Sequence, residues 1–188
     1  MPGRLRSRRQ VPGSRRLSQR ISEGDGIAII ARVGDVDAAR TAEEQGAKAL
    51  AVERAVAGIR ESTSLPLLWL GAGAPVDADA VAVRPGGDTG GELETVLHVR
   101  DEDQLEAALE EHDPEIFLLA CHGDEDGDGD PLESVLELLP DVPAGKLAIA
   151  EVDVTSRDEV LALERAGIDA VLVTGDVEAL VGDGVPDV

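Results

Sequence analysis

Eight short apolar runs, separated by helical patterns or by short links, are the feature that most constrains the fold of this chain of 188 residues. They cover residues 26–33, 47–53, 65–70, 78–83, 94–99, 115–121, 146–152 and 168–174. Strands that alternate with helices over short connections are typical of an α/β protein with a parallel sheet, and eight of them predict a closed (β/α)8 TIM barrel. A doubly wound open sheet is the alternative, but no GxGxxG motif follows the first run.

Four helices are predicted between these runs from their apolar spacing and their end signals, over residues 36–46, 101–111, 131–139 and 156–167. The last of them begins with Ser156 followed by Glu159 three residues later, which is a capping-box pattern, and it ends at Gly167. Pro131 suits the first turn of the third helix. The elements therefore repeat in the order expected of a barrel.

The links after the third and fourth runs are too short for complete helices. Only residues 71–77 and 84–93 are available there, whereas a crossover with its helix needs at least about 10–12 residues. We therefore expect a shortened barrel in which these two helices are missing or vestigial. Strand alternation turns Leu67 and Trp69 outward on this flank, and an exposed apolar patch of that kind usually meets a partner. The sequence thus predicts a homodimer through the flank of strands 3–5, near Trp69.

The charge is strongly acidic and unevenly distributed. Residues 1–20 hold seven of the 17 basic residues and no acidic ones, so the rest of the chain has 10 bases against 39 acids, a net charge of −29. Such a body repels nucleic acid and anionic membranes, and we expect neither as a partner. This acidity could be suited to a high-salt environment, or it could keep the protein soluble.

The N-terminal 20 residues combine arginine, proline and glycine without periodicity, which predicts a disordered segment. A single barrel domain over residues 21–182 and a short tail over residues 183–188 follow from the run pattern. One cysteine excludes an internal disulfide and fits a reducing compartment, and the start of the chain has no apolar signal core. We therefore expect a cytoplasmic protein.

Several polar side chains fall at the carboxyl ends of predicted strands, where the catalytic residues of such barrels lie: Arg32, His98, His122 and Glu151. We expect Arg32 to hold an anion, His98 to transfer a proton and Glu151 to orient it. The alternative is a rim ion cluster without a catalytic role. Cys121 precedes His122 directly, so the two point to opposite faces of a strand and are not expected to pair as nucleophile and base.

The acidic stretch HGDEDGDGD over residues 122–130 is similar to a calcium loop. Asp124, Asp126 and Asp128 have the right alternation, but Val135 stands where the closing glutamate is needed. A solvated acidic loop is the better interpretation, and weak cation binding is the alternative. No metal site and no cofactor is predicted.

The order of the segments resembles the indole-3-glycerol-phosphate synthase family, from about Leu17 to Leu180. The resemblance is carried by LSQRISEGDGIAIIARV, AARTAEEQGAKALAVE, TSLPLLW, VLHVRDEDQLEAALE and AEVDVTSRDEVLALERAGIDAVLVTG. It implies a (β/α)8 fold and a carboxy-lyase of tryptophan biosynthesis. That reaction closes an indole ring on a phosphorylated substrate, so a small phosphorylated metabolite is the implied ligand.

Most of the family's catalytic positions hold other residues in this chain. Where the family has a glutamate and a lysine at the end of strand one, the matching residues are Arg32 and Gly34. The catalytic lysine that ends strand three is matched by Leu70, and the glutamate that ends strand five is matched by His98. The glutamate that ends strand seven remains as Glu151.

The strand-six positions of the family and its phosphate-binding loops are also altered. Ala120 and His122 stand where strand six of the family has an asparagine and an arginine. A Ser-Gly loop after strand seven is replaced by a sequence that contains Asp153. Gly175 after strand eight remains and is the implied phosphate contact, but Asp176 follows it. Carboxylates at these positions oppose the docking of a phosphate.

The resemblance therefore implies a scaffold that has lost the synthase activity, a pseudoenzyme. A leucine at the end of strand three cannot donate the proton that the lysine supplies. The alternative is an active synthase, or another phosphate-sugar lyase or isomerase, that uses Glu151 and His98.

Overall fold

Eight parallel strands form a closed barrel in the computed structural model, which describes residues 16–88, 91–120 and 130–181. Each strand pairs with the next along the chain, and the first pairs with the eighth, so the open-sheet alternative is wrong. All eight predicted runs contain a strand. The strands are β1 (Ala28–Arg32), β2 (Ala49–Val52), β3 (Leu67–Trp69), β4 (Ala80–Val83), β5 (Glu94–Val99), β6 (Ile116–Ala120), β7 (Leu147–Glu151) and β8 (Ala170–Thr174).

Seven α-helices are present in the described residues, and the four longest are the predicted ones. They are α1 (Leu17–Ser22), α2 (Val36–Glu44), α3 (Ile59–Ser62), α4 (Glu102–Glu111), α5 (Pro131–Leu138), α6 (Arg157–Ala166) and α7 (Glu178–Val181), and a 3-10 turn (Leu139–Asp141) follows α5. The predicted capping box of α6 is formed, and Gly167 ends the helix with a left-handed φ of 105°. Local capping chemistry thus sets the ends of α6, as the sequence indicates.

Side chains that alternate along the strands form two apolar layers, as in other barrels of this type. The inner layer includes Ile30, Leu68 and Ile149, and the outer layer joins the other face of the strands to the helices. A leucine- and alanine-rich composition fills both layers with few aromatic rings. The barrel interior is therefore a packed core.

The amino-end mouth of the barrel is closed by α1. Leu17 and Ile21 are buried in the inner layer, and the carboxylate of Glu94 accepts hydrogen bonds from the backbone N–H groups of Leu17 (2.7 Å) and Ser18 (3.2 Å). Residues 17–20 were assigned to the disordered segment from the sequence, and that boundary was wrong. Apolar burial under the barrel and a carboxylate that caps the helix from a distant strand order these residues.

The flank of β3, β4 and β5 differs from the expectation of a bare apolar face. No helix lies between β3 and β4, and none lies between β4 and β5 in the described residues. Leu67 and Trp69 do belong to the outer layer, but they are only 0% and 4% exposed. Loop side chains pack against that layer instead of helices, among them Val56, Ala78 and Leu93.

The predicted exposed patch near Trp69 is therefore wrong. Across the described ranges the exposed large apolar side chains are Val76 and Leu109, and single exposed side chains of this kind are ordinary on a protein surface. The homodimer through this flank stays a prediction, but without the exposed patch on which it was based.

Candidate functional site

Three predicted site residues come together at the carboxyl-end mouth of the barrel. Arg32 ends β1, Glu151 ends β7, and His98 lies one residue before the end of β5. Each continues the series of inward-facing positions on its strand, which includes Ile30, Ile149 and Val96. Residues 53 to 119 positions apart in the sequence thus meet in one place, because closure of the barrel brings their strand ends together.

Arg32 is held by carboxylates and does not point freely into solvent. One Nη atom lies 2.5 Å from Oε1 of Glu151, and its Nε lies 3.4 Å from Oε1 of Glu53. The other Nη atom donates to the hydroxyl of Thr174 at 3.4 Å. Its positive charge is therefore opposed by two carboxylates of the protein, so little of it remains for a ligand anion.

Glu151 links Arg32 to His98. Nε2 of His98 lies 3.2 Å from Oε2 of Glu151, within ion-pair distance but outside hydrogen-bond alignment. Contact with His98 is the largest cause that lowers the pKa of Glu151 from 4.5 to about 2, Arg32 adds to it, and partial burial opposes it. Glu151 is therefore a carboxylate at neutral pH, able to position His98 and Arg32 but not to donate a proton.

A cavity of about 380 Å³ opens beside this cluster. Arg32, Glu151 and Thr174 form one side of it, and Arg100 and Ala120 form another. The volume is at the small end of the range for ligand sites in proteins. The cavity lies at the end of the barrel where active sites of this fold are found.

Two residues of this region escaped the sequence analysis, Glu53 and Arg100. Arg100 lies two residues beyond His98, so the alternation of β5 already indicates that both side chains face the same side. Glu53 follows β2 with the same parity as Ala49 and Ala51 of the inner layer. Extending the strand period by one residue past each strand end would have found both.

The positions that the family resemblance identifies differ in whether they line the cavity. Leu70, directly after β3, is partly buried against the inner layer. Ala120 lines the cavity, and Asp153 lines it as well. Gly175 follows β8 with φ of 109°, but it does not line the cavity, so its role as a phosphate contact stays a prediction.

The helix ends near the cavity are already occupied by side chains of the protein. Asp130 accepts a hydrogen bond from the N–H of Leu132 at the start of α5. At the start of α6, the hydroxyl of Ser156 accepts from the N–H of Glu159, whose carboxylate accepts from the N–H of Ser156. These N–H groups, which in other proteins bind phosphate, are thus engaged within the chain.

Some candidates lie outside the described residues, namely Cys121, His122 and most of the acidic stretch 122–130. Within the described ranges no group of three or more His, Cys, Asp or Glu side chains is arranged to hold a metal ion. No helix among these residues is both long and apolar enough to cross a membrane. No family model matches the chain, and none of the curated proteins matches it.

Proposed function

We propose that this protein is a shortened barrel of the indole-3-glycerol-phosphate synthase type that has kept the scaffold and lost the synthase activity. The observation that carries the proposal is Leu70. The residue that matches the family's catalytic lysine is an aliphatic side chain packed on the inner layer directly after β3. An aliphatic side chain supplies no proton to a substrate carbonyl, and general acid catalysis is worth about 10²–10⁴ in rate.

The neighbouring polar residues do not replace the missing acid. Glu151 has a pKa of about 2, so it carries no proton to donate at neutral pH. Arg32, which matches the family's glutamate at the end of strand one, is bound to Glu151 and Glu53. An arginine guanidinium does not release a proton in proteins. The protein is therefore proposed to bind a small metabolite in the cavity beside Arg32 and Glu151 without synthase turnover.

The contact between His98 and Glu151 favours a second candidate function. A histidine held by a carboxylate is a common proton-transfer arrangement, and here the two side chains are 3.2 Å apart, with Glu151 lining the cavity. The second candidate is an isomerase or lyase acting on a small phosphorylated sugar, with His98 as the proton carrier and Glu151 as its positioning residue.

The deciding experiment is an assay of indole-3-glycerol-phosphate formation from carboxyphenylamino-deoxyribulose phosphate, followed by product fluorescence at high protein concentration. The protein would be prepared from a host that lacks its own synthase. We expect no turnover above that of a buffer blank. Glu151→Gln tests the site, and Glu110→Gln, on the exposed side of α4, is the matched control.

Turnover by the wild-type protein and by Glu110→Gln, but not by Glu151→Gln, would overturn the proposal and show that another acid replaces the lysine. The second candidate is tested separately by solvent deuterium exchange into phosphorylated aldoses and ketoses. Exchange by the wild-type protein that is lost in His98→Asn would support the isomerase or lyase function. Absence of exchange in the wild-type protein would contradict that function.

A further inference from the structure

Arg100 differs from Arg32 and Arg60, two other partly buried arginines of the barrel, in having no anionic partner within the described residues. Its Nε is buried without a hydrogen-bond partner, and its backbone N–H donates to the side chain of Gln104. The Nε atoms of Arg32 and Arg60 are also buried without such a partner, but their Nη atoms bind carboxylates. Arg32 binds Glu151, and Arg60 binds Asp79 at 2.6 Å.

This difference leaves an uncompensated cation on the wall of the cavity. A buried polar atom without a partner is destabilising, and more so when the group is charged. Arg100 lines the same cavity as Arg32 and Glu151, two residues beyond His98 on the inward side. Because Arg32 is already opposed by Glu53 and Glu151, Arg100 is the cavity cation with charge available for a ligand.

The surrounding charges limit which anion can bind. The cavity is also lined by Glu151, Asp153, Asp130 and Glu159, and the last two are engaged with the N-terminal N–H groups of α5 and α6. Repulsion from these carboxylates acts about twice as strongly on a phosphate dianion as on a singly charged group. A carboxylate also matches the two parallel N–H donors of a guanidinium.

We infer that Arg100 anchors the carboxylate of a small organic acid in the cavity at the carboxyl ends of the strands. The inference rests on the proposal that this cavity binds a metabolite, and it adds the chemical class of that metabolite. The remaining polar groups of the ligand then face Glu151 and Thr174, which line the cavity, and the volume of about 380 Å³ admits a molecule of roughly the size of a benzoate or a small hydroxy acid.

Benzoate is a suitable probe, with binding followed by saturation-transfer NMR at constant ionic strength set with sodium chloride. We expect saturable binding that acetate displaces more effectively than inorganic phosphate does. Arg100→Gln is expected to lower the affinity about tenfold or more, because a charge-assisted pair is lost. Arg84→Gln removes the same charge from an exposed residue that does not line the cavity, and its affinity is expected to stay within about twofold of wild type.

Arg100→Lys keeps the charge but loses the planar pair of donors, so an intermediate affinity is expected. Circular dichroism and thermal unfolding test whether each variant folds. If Arg100→Gln does not fold, the affinity of Arg100→Lys is the deciding measurement. Wild-type affinity in a folded Arg100 variant, no benzoate binding at all, or stronger displacement by phosphate would each overturn the inference. Synthase turnover would instead overturn the proposed loss of activity and leave the Arg100 result unaffected.

Discussion

Replacing Glu151 by glutamine is expected to lower the free energy of unfolding, by an amount that depends on pH. Lowering the pKa of this carboxyl from 4.5 to about 2 corresponds to about 3 kcal/mol, at 1.36 kcal/mol for each pH unit. The side chain is 27% exposed, so screening by water reduces the expected contribution to about 1–2 kcal/mol. The pKa of Glu151 is lowered by His98 on β5 and by Arg32 on β1. Arg32 also forms an ion pair with Glu53.

The sign follows from proton linkage. The folded protein binds the Glu151 proton less readily than the unfolded chain does, so the stabilisation is present above pH 4.5 and is lost as the pH falls toward 2. Glutamine carries no titrating group, so the difference in unfolding free energy between wild type and Glu151→Gln should be about 1–2 kcal/mol at pH 5.5 and should shrink toward pH 3.

Urea denaturation of both proteins at several pH values between 5.5 and 3 measures this difference directly. The other acidic residues titrate in both proteins, and their effect therefore cancels to a first approximation. Glu110→Gln on the exposed side of α4 is the matched control and should remain within about 0.5 kcal/mol of wild type at each pH. A difference for Glu151→Gln that stays constant over this pH range would refute the argument from the lowered pKa.

Three further predictions concern the scaffold. Glu94→Ala removes the hydrogen bonds to the N–H groups of Leu17 and Ser18, and it should cost about 1–2 kcal/mol and speed amide exchange in α1. Gly71→Ala would place a Cβ 2.0 Å from the backbone oxygen of Glu53, and it should lower the stability to urea by roughly 1–3 kcal/mol. The net charge of −22 should make the melting temperature rise between 0.1 and 1 M sodium chloride, because salt screens the repulsion among carboxylates.

Matched control variants separate these specific effects from a non-specific loss of stability. Glu92→Ala removes an exposed carboxylate near the same strand and should leave α1 exchange unchanged. Gly34→Ala places a Cβ no closer than 3.9 Å to other atoms and should be nearly neutral. Unchanged exchange in Glu94→Ala, wild-type stability in Gly71→Ala, or a melting temperature that falls with salt would contradict the respective argument.

Much of the fold was readable because each element carries its own local signal. The apolar runs of β1 to β8 and the capping box at Ser156 depend on neighbours within a few residues. Three short helices were not predicted, and α1 shows why. Its order depends on Glu94, 77 positions away from Leu17, and on apolar burial of Leu17 and Ile21 at the amino-end mouth.

The candidate site was predictable in its members but not in its electrostatics. Strand ends identified Arg32, His98 and Glu151, because parallel strands bring their carboxyl ends to one edge. The sequence could not show that Glu53 and Glu151 both oppose Arg32, so Arg32 was expected to hold an anion. Among the described residues that line the cavity, the cation without a carboxylate partner is Arg100, which was not predicted.

The sequence by itself determined the order of strands and helices, the caps of the long helices, and which strand ends carry polar groups, since these follow from local periodicity and backbone hydrogen bonding. Only the tertiary structure decided that Trp69 is buried, that α1 closes one mouth, and that Arg32 is paired while Arg100 has no carboxylate partner among the described residues. These outcomes depend on distances between residues far apart in the chain, and such distances exist only once the barrel has closed.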